Sequence, residues 1–134
     1  VASNVGANLA IMNTYYMGRM LTSSDPLEVE VAETLSVFFP NQFTSGTHVN
    51  ISGVGLSATT HKQEQAEQFI EFLLQSSSQR LFADENFEYP ILRDMAPHPL
   101  LQSWGSFVEQ DIDFSAMSLM TETVYPWMIE AGWN

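Results

Sequence analysis

The stretch Leu9-Ala10-Ile11-Met12-Asn13-Thr14-Tyr15-Tyr16 changes character halfway along. Its first four residues form a continuous apolar run, which is typical of a strand buried on both faces in a parallel sheet. Asn13 and Thr14 carry side chains that favour a helix N-cap, and Tyr15 to Leu21 suits one or two helical turns. The turn-forming segment Thr22 to Pro26 ends that helix. The stretch therefore predicts a strand, a tight loop and a helix start.

Two adjacent tyrosines, Tyr15 and Tyr16, follow the predicted loop. Within a strand they would point to opposite faces, and within a helix they would diverge by about 100°. A strand-to-helix junction imposes neither restriction, and it lies at the carboxyl end of a parallel strand, where open α/β folds bind ligands. Anionic phenolate oxygens suit a hard cation such as iron(III). The spacing permits a metal site, and it equally permits ordinary packing of two amphipathic side chains.

Two more strands are predicted, at Glu33–Phe39 and Thr47–Ser52, from their β-favouring residues and the turn formers that follow. A capping box at Thr60–Gln63 predicts a helix, and Gln79–Ala83 predicts a second helix packed on it. The first of these helices has apolar residues at helical spacing, namely Ala66, Phe69, Ile70, Leu73 and Leu74. The prolines of the segment from Phe87 to Pro99 predict an extended connector. One or two C-terminal helices follow, and Pro126 is expected to kink or split them.

Composition excludes several classes of protein. The 134 residues carry a net charge of −12, so a phosphate backbone would be repelled and nucleic acid is not an expected partner. Cysteine is absent, which excludes disulfides and thiolate chemistry. No apolar run approaches the roughly 20 residues of a membrane span, and no catalytic motif is present, so an enzyme is not expected. Since the chain begins at Val1 without a leader, we expect it to be processed or truncated.

The segment Ala10–Arg19 resembles the tyrosine-pair motif of bacterial periplasmic ferric-ion-binding proteins, which feed ABC iron transporters. The resemblance continues through four further segments: Phe38–Gln42, Gly46–Gly53, Glu88–Pro90 and Ala131–Trp133. It therefore spans nearly the whole chain. Members of that family are about twice as long, and this chain resembles only their later half.

The resemblance implies an α/β class and the type II periplasmic-binding-protein fold, present as the C-terminal part of a two-lobe protein. Segment 1–45 would belong to the second lobe and carry the tyrosine pair. Segment 46–97 resembles the crossing strand and helices of the first lobe, and segment 98–134 holds C-terminal helices that return to the second lobe.

The resemblance also implies roles for particular residues. Tyr15 and Tyr16 would be Fe(III) ligands, and the remaining ligands would come mostly from the missing N-terminal half. Asn13 matches a position that binds a synergistic anion such as carbonate or phosphate in some relatives, although its residue type also suits a plain N-cap. Arg19 would neutralise that anion, tune the phenolates or simply be a surface charge.

The implied function is non-catalytic binding of iron(III) in the periplasm and its presentation to an inner-membrane ABC permease. Two alternatives remain open at this point. The same fold binds other small solutes in the same cleft, so fold alone does not fix the ligand. The chain would otherwise be a truncated fragment without competent metal binding, which self-associates or docks to its missing half.

Overall fold

The computed structural model describes residues 9–133, which form six helices joined by irregular segments. The helices are α1 Thr14–Leu21, α2 Pro26–Glu33, α3 Gln63–Leu73, α4 Ser76–Asn86, α5 Pro99–Ser103 and α6 Phe114–Glu130. The chain divides into two compact units. The first unit holds the described residues up to Phe39 together with Asn50–Phe107, and the second holds Pro40–Val49 with the residues from Val108 onward. None of the helices in this part of the chain is long and apolar enough to cross a membrane.

The first unit is built around α4, which packs against both α1 and α3. Gln79, at the start of α4, is buried and joins three segments. Its Nε2 donates to the carbonyl of Leu73 at 2.9 Å, and its Oε1 accepts from the backbone N–H of Ile91 at 3.1 Å. The core of this unit is small, with buried apolar residues Met17, Ala32, Ala83, Phe87 and Leu101. A single polar side chain therefore holds the end of α3, the start of α4 and the following connector together.

The predicted helices are confirmed, with corrections at their ends. α3 begins at Gln63, but its N-cap residue is Lys62, without a side-chain capping bond, and the Thr60 hydroxyl accepts only from the Lys62 N–H at 3.1 Å. The prediction of a capping box at Thr60–Gln63 was therefore wrong. α4 begins earlier than predicted, at Ser76. α6 runs from Phe114 to Glu130 with Pro126 inside it, so the helix is not split at the proline.

The three predicted strands are not formed. Leu9–Met12 is irregular and exposed, with the Ile11 side chain 98% exposed. The segment Glu33–Phe39 begins as the end of α2, and Thr47–Ser52 contributes only Thr47, in an isolated parallel bridge to Glu109. A strand requires a neighbour to pair with its backbone groups, and no other segment of residues 9–133 supplies a ladder.

The second unit is held by backbone contacts around Thr47. The Thr47 N–H donates to the Val108 carbonyl and the Gln110 N–H donates to the Thr47 carbonyl, both at 2.8 Å. The Gln42 side chain makes two hydrogen bonds to the backbone of Val108. It accepts from the Val108 N–H at 2.6 Å and donates to the Val108 carbonyl at 3.2 Å. Gly46 makes this approach possible, because its φ is +83° and a Cβ would lie 2.6 Å from the Glu109 carbonyl oxygen.

Candidate metal centre

The tyrosine pair lies in the first turn of α1. Asn13 is extended at ψ 142°, and helical geometry starts at Thr14. The rings of Tyr15 and Tyr16 have centroids 4.3 Å apart and planes inclined at 41°. Neighbouring residues of a helix point apart, yet these two rings tilt toward each other at the helix end. The structure thus brings the two predicted ligands into contact, with Tyr16 48% exposed and Tyr15 half-buried.

Asn13 occupies the N-cap position without capping the helix through its side chain. Its Nδ2 instead donates to the Tyr15 hydroxyl oxygen at the long distance of 3.4 Å. Asn13 is therefore the N-cap residue of α1, as predicted, but its side chain makes no capping hydrogen bond. The first turn of α1 contains no acidic residue, so the free N–H groups at its start would favour an anion beside the tyrosines.

The electrostatics of the pair favour a neutral Tyr16 phenol in the absence of a cation. The pKa of Tyr16 is raised, first by its hydrogen bond with the Tyr15 phenol, then by charge repulsion from Tyr15 and by burial. The positive charge of Arg19 acts in the opposite direction and lowers the pKa of Tyr16. A bound trivalent cation would reverse the balance, because it favours anionic oxygen ligands.

Arg19 lies close to the pair. Its guanidinium carbon is 5.3 Å from the centroid of the Tyr15 ring, within the range of a cation–π interaction. Its Nη2 donates to Asn86 Oδ1 at 3.5 Å. The sequence pointed to Arg19 but gave no signal for Asn86, because the two residues are 67 positions apart.

The two phenolates would supply only two oxygen ligands. In the described part of the chain, no three histidine, aspartate or glutamate side chains are grouped so that they could hold a metal ion. His98 accepts from the Leu100 N–H at 3.1 Å and thus caps α5, while His48 lies 3.4 Å from the Gln110 side-chain oxygen. The side chains with candidate oxygen ligands that this geometry brings together are those of Tyr15 and Tyr16.

Comparison with known proteins gives the class to which this geometry corresponds. The chain is 45% identical over 131 residues to iron uptake protein A1 of Synechocystis sp., and the match covers 96% of this chain and 36% of that protein. The structure of a ferric binding protein from Campylobacter jejuni superposes with a TM-score of 0.91 at 34% identity, covering 98% of this chain and 42% of that chain. The structure of a Trichodesmium protein (IdiA, FutA) in complex with iron and citrate superposes with a TM-score of 0.91 at 33% identity. The match covers 99% of this chain and 42% of that chain. No known family model matches the chain.

These comparisons identify the chain as similar, over nearly its whole length, to part of the iron-uptake and ferric-binding proteins, and it shares their type II periplasmic-binding fold. The predicted resemblance and the predicted fold class are confirmed. The chain spans about two fifths of the length of the relatives it matches, which is consistent with the predicted C-terminal portion. The lobe assignment of segments 1–45, 46–97 and 98–134 and the ligand roles of Tyr15, Tyr16 and Asn13 stay predictions.

Proposed function

We propose that this chain supplies two iron(III) ligands, Tyr15 and Tyr16, to a solute-binding protein of an ABC iron-uptake system. The protein binds its cargo without turnover in the periplasm and presents it to an inner-membrane permease. The observation that carries the proposal is the tyrosine pair, with ring centroids 4.3 Å apart at the start of α1, in a chain similar to proteins named for iron uptake and ferric binding.

The chemistry of the cargo supports this role. Ferric iron is a hard cation that favours anionic oxygen ligands, and two phenolates leave further coordination positions to be filled. The remaining protein ligands come from the part of the protein that this chain does not include. Cargo binding would bring ligands from both lobes together.

A synergistic anion would complete the site beside Asn13. The Asn13 amide already points at the Tyr15 hydroxyl, and the adjacent N–H groups at the start of α1 favour negative charge. Carbonate or phosphate would fit this position. Citrate, which accompanies iron in the Trichodesmium structure, is a further oxygen-rich candidate.

The test uses the full natural protein that contains these residues. Titration with ferric citrate is expected to produce a visible phenolate-to-iron absorption band. The double variant Tyr15→Phe, Tyr16→Phe should lose the band and bind iron more weakly. Tyr125→Phe makes the same chemical change at an exposed tyrosine of α6 and should keep both properties. Unchanged iron affinity in the double variant contradicts the proposal, and a colourless protein that binds an organic solute supports another cargo for the same fold.

A further inference from the structure

The helix that carries the tyrosine pair rests on the C-terminal end of α4. Gly18 of α1 is buried and faces Phe87, and a Cβ at Gly18 would lie 2.5 Å from Phe87 Cγ. The space that a side chain would take at position 18 is therefore filled by the Phe87 ring. No other residue type allows α1 to approach this ring so closely without displacing it.

Phe87 is held firmly where it meets α1. It is only 7% exposed, and it caps α4 in the left-handed conformation at φ 56°, ψ 38°, which is uncommon for a residue with a side chain. The His98 ring packs against it edge-on, with centroids 5.0 Å apart and planes at 85°. A left-handed backbone conformation at a residue with a side chain persists only when the surrounding packing stabilises it. The surrounding packing therefore fixes the position of the Phe87 ring.

Asn86 makes a second connection from the same end of α4. Its Oδ1 accepts from Arg19 Nη2 at 3.5 Å, and the Arg19 guanidinium carbon lies 5.3 Å from the Tyr15 ring centroid. The last residue of α4, Asn86, and its C-cap residue, Phe87, thus reach α1 by different routes. Phe87 contacts the backbone of α1 at Gly18, and Asn86 reaches the Tyr15 ring through Arg19.

We propose that Asn86 and Phe87 are positioning residues for the tyrosine pair. Phe87 sets how closely α1 approaches α4, and Asn86 keeps the Arg19 guanidinium over Tyr15, so that the ring orientation and a positive charge are both fixed before the cargo arrives. Neither residue touches the cargo. This inference rests on the proposed function for its consequence in iron binding, but its geometric part can be tested without iron.

The iron-free test uses nuclear magnetic resonance of the full natural protein with labelled tyrosine. Asn86→Ala is expected to shift the Tyr15 ring resonances and to remove the cross-peaks between Tyr15 and Arg19. Asn86→Asp keeps the acceptor and should restore them. Ser77→Ala, an exposed and uncharged change on the same helix, should have no effect. Unchanged Tyr15 resonances in Asn86→Ala overturn the proposal.

The iron test follows the absorption band on titration with ferric citrate. Asn86→Ala and Phe87→Leu are expected to change the band and to weaken iron affinity about tenfold, as loss of an outer partner typically does, while Asn86→Asp recovers most of the affinity. A parent protein with the band whose Asn86→Ala and Phe87→Leu variants keep the same band and affinity overturns the positioning role. A parent without any band overturns the proposed function instead, and the iron-free test then decides whether Asn86 positions Tyr15.

Discussion

At the scale of single residues, the proposed ligand role of the tyrosine pair would link proton binding to iron binding. The pKa of Tyr16 is raised by its neighbour Tyr15, so the Tyr16 phenol keeps its proton at neutral pH in the absence of iron. A phenol must lose its proton to bind a cation as a phenolate, so under this proposal iron affinity should rise with pH and fall as the solution is acidified.

This coupling predicts how many protons the protein releases when it binds iron. Adding ferric citrate to the full natural protein should release about two protons from the pair, and about one from either single variant, Tyr15→Phe or Tyr16→Phe. A pH indicator in weakly buffered solution measures the release, with the buffer titrated in parallel. Equal proton release by the parent and the double variant would show that the phenols do not bind as phenolates.

Tyr89 gives a second prediction at this scale. Its hydroxyl oxygen is buried without a hydrogen-bond partner among the described residues, and burial raises its pKa. An unpaired buried hydroxyl costs free energy, so Tyr89→Phe should leave the chain equally stable or more stable by up to about 1 kcal/mol in urea unfolding. Tyr125→Phe, at an exposed site, is the control.

The pH dependence of the Tyr89 effect has a definite sign. Because the folded pKa lies above the unfolded value near 10, the fold favours the neutral phenol over the phenolate, and this preference makes its full contribution to stability below about pH 10. That contribution is lost as pH rises through the folded pKa. The parent should therefore lose more stability than Tyr89→Phe in strongly alkaline solution. A large loss of stability in Tyr89→Phe at neutral pH would show that the hydroxyl has a partner.

At the scale of elements, the packing of α1 against α4 depends on Gly18. Alanine would normally favour a helix over glycine by about 1 kcal/mol. Here the added Cβ would meet Phe87, so we expect Gly18→Ala to destabilise the chain by about 1–3 kcal/mol through overpacking.

Urea unfolding measures the Gly18→Ala effect, and Gly53→Ala is its matched control. No atom lies within 4 Å of a Cβ at Gly53, so that variant should change stability by only a few tenths of a kcal/mol. A Gly18→Ala variant as stable as the Gly53→Ala variant would mean that the Phe87 ring moves aside at little cost in free energy. In that case α1 would not be held by this contact.

At the scale of the whole molecule, large apolar side chains remain exposed across the described residues. Phe43, Leu119 and Trp133 are 102%, 82% and 71% exposed, and α6 carries several more such residues. Scattered exposed apolar residues are ordinary, but so many on one small chain favour association. The net charge of −12 opposes it through mutual repulsion.

The isolated 134-residue chain should therefore self-associate in a salt-dependent way. Light scattering is expected to show larger particles as concentration rises, and more association at high salt, because salt screens the repulsion between acidic chains. The variant Leu119→Glu should reduce association. Association that weakens with added salt would point to charge pairing and not to apolar contact.

The elements that sequence patterns predicted well are those decided by local spacing. α3 follows its apolar periodicity, α4 and the connector after it lie near their predicted places, and the tyrosine pair stands at a helix start as predicted. The capping box failed because the helix begins after Lys62, and the strands failed because pairing depends on a second segment that local patterns do not supply.

The sequence by itself determined the helix carrying Tyr15 and Tyr16, the resemblance to ferric-binding proteins and the fold class that goes with it. Only the tertiary structure showed that Phe87 packs against Gly18, that Asn86 accepts a hydrogen bond from Arg19 and that the two tyrosine rings are in contact. The physical reason is distance along the chain and freedom of rotation. Periodicity reports which face of a helix is apolar, whereas contacts between residues 67 positions apart, and the tilt of two rings, are set by packing.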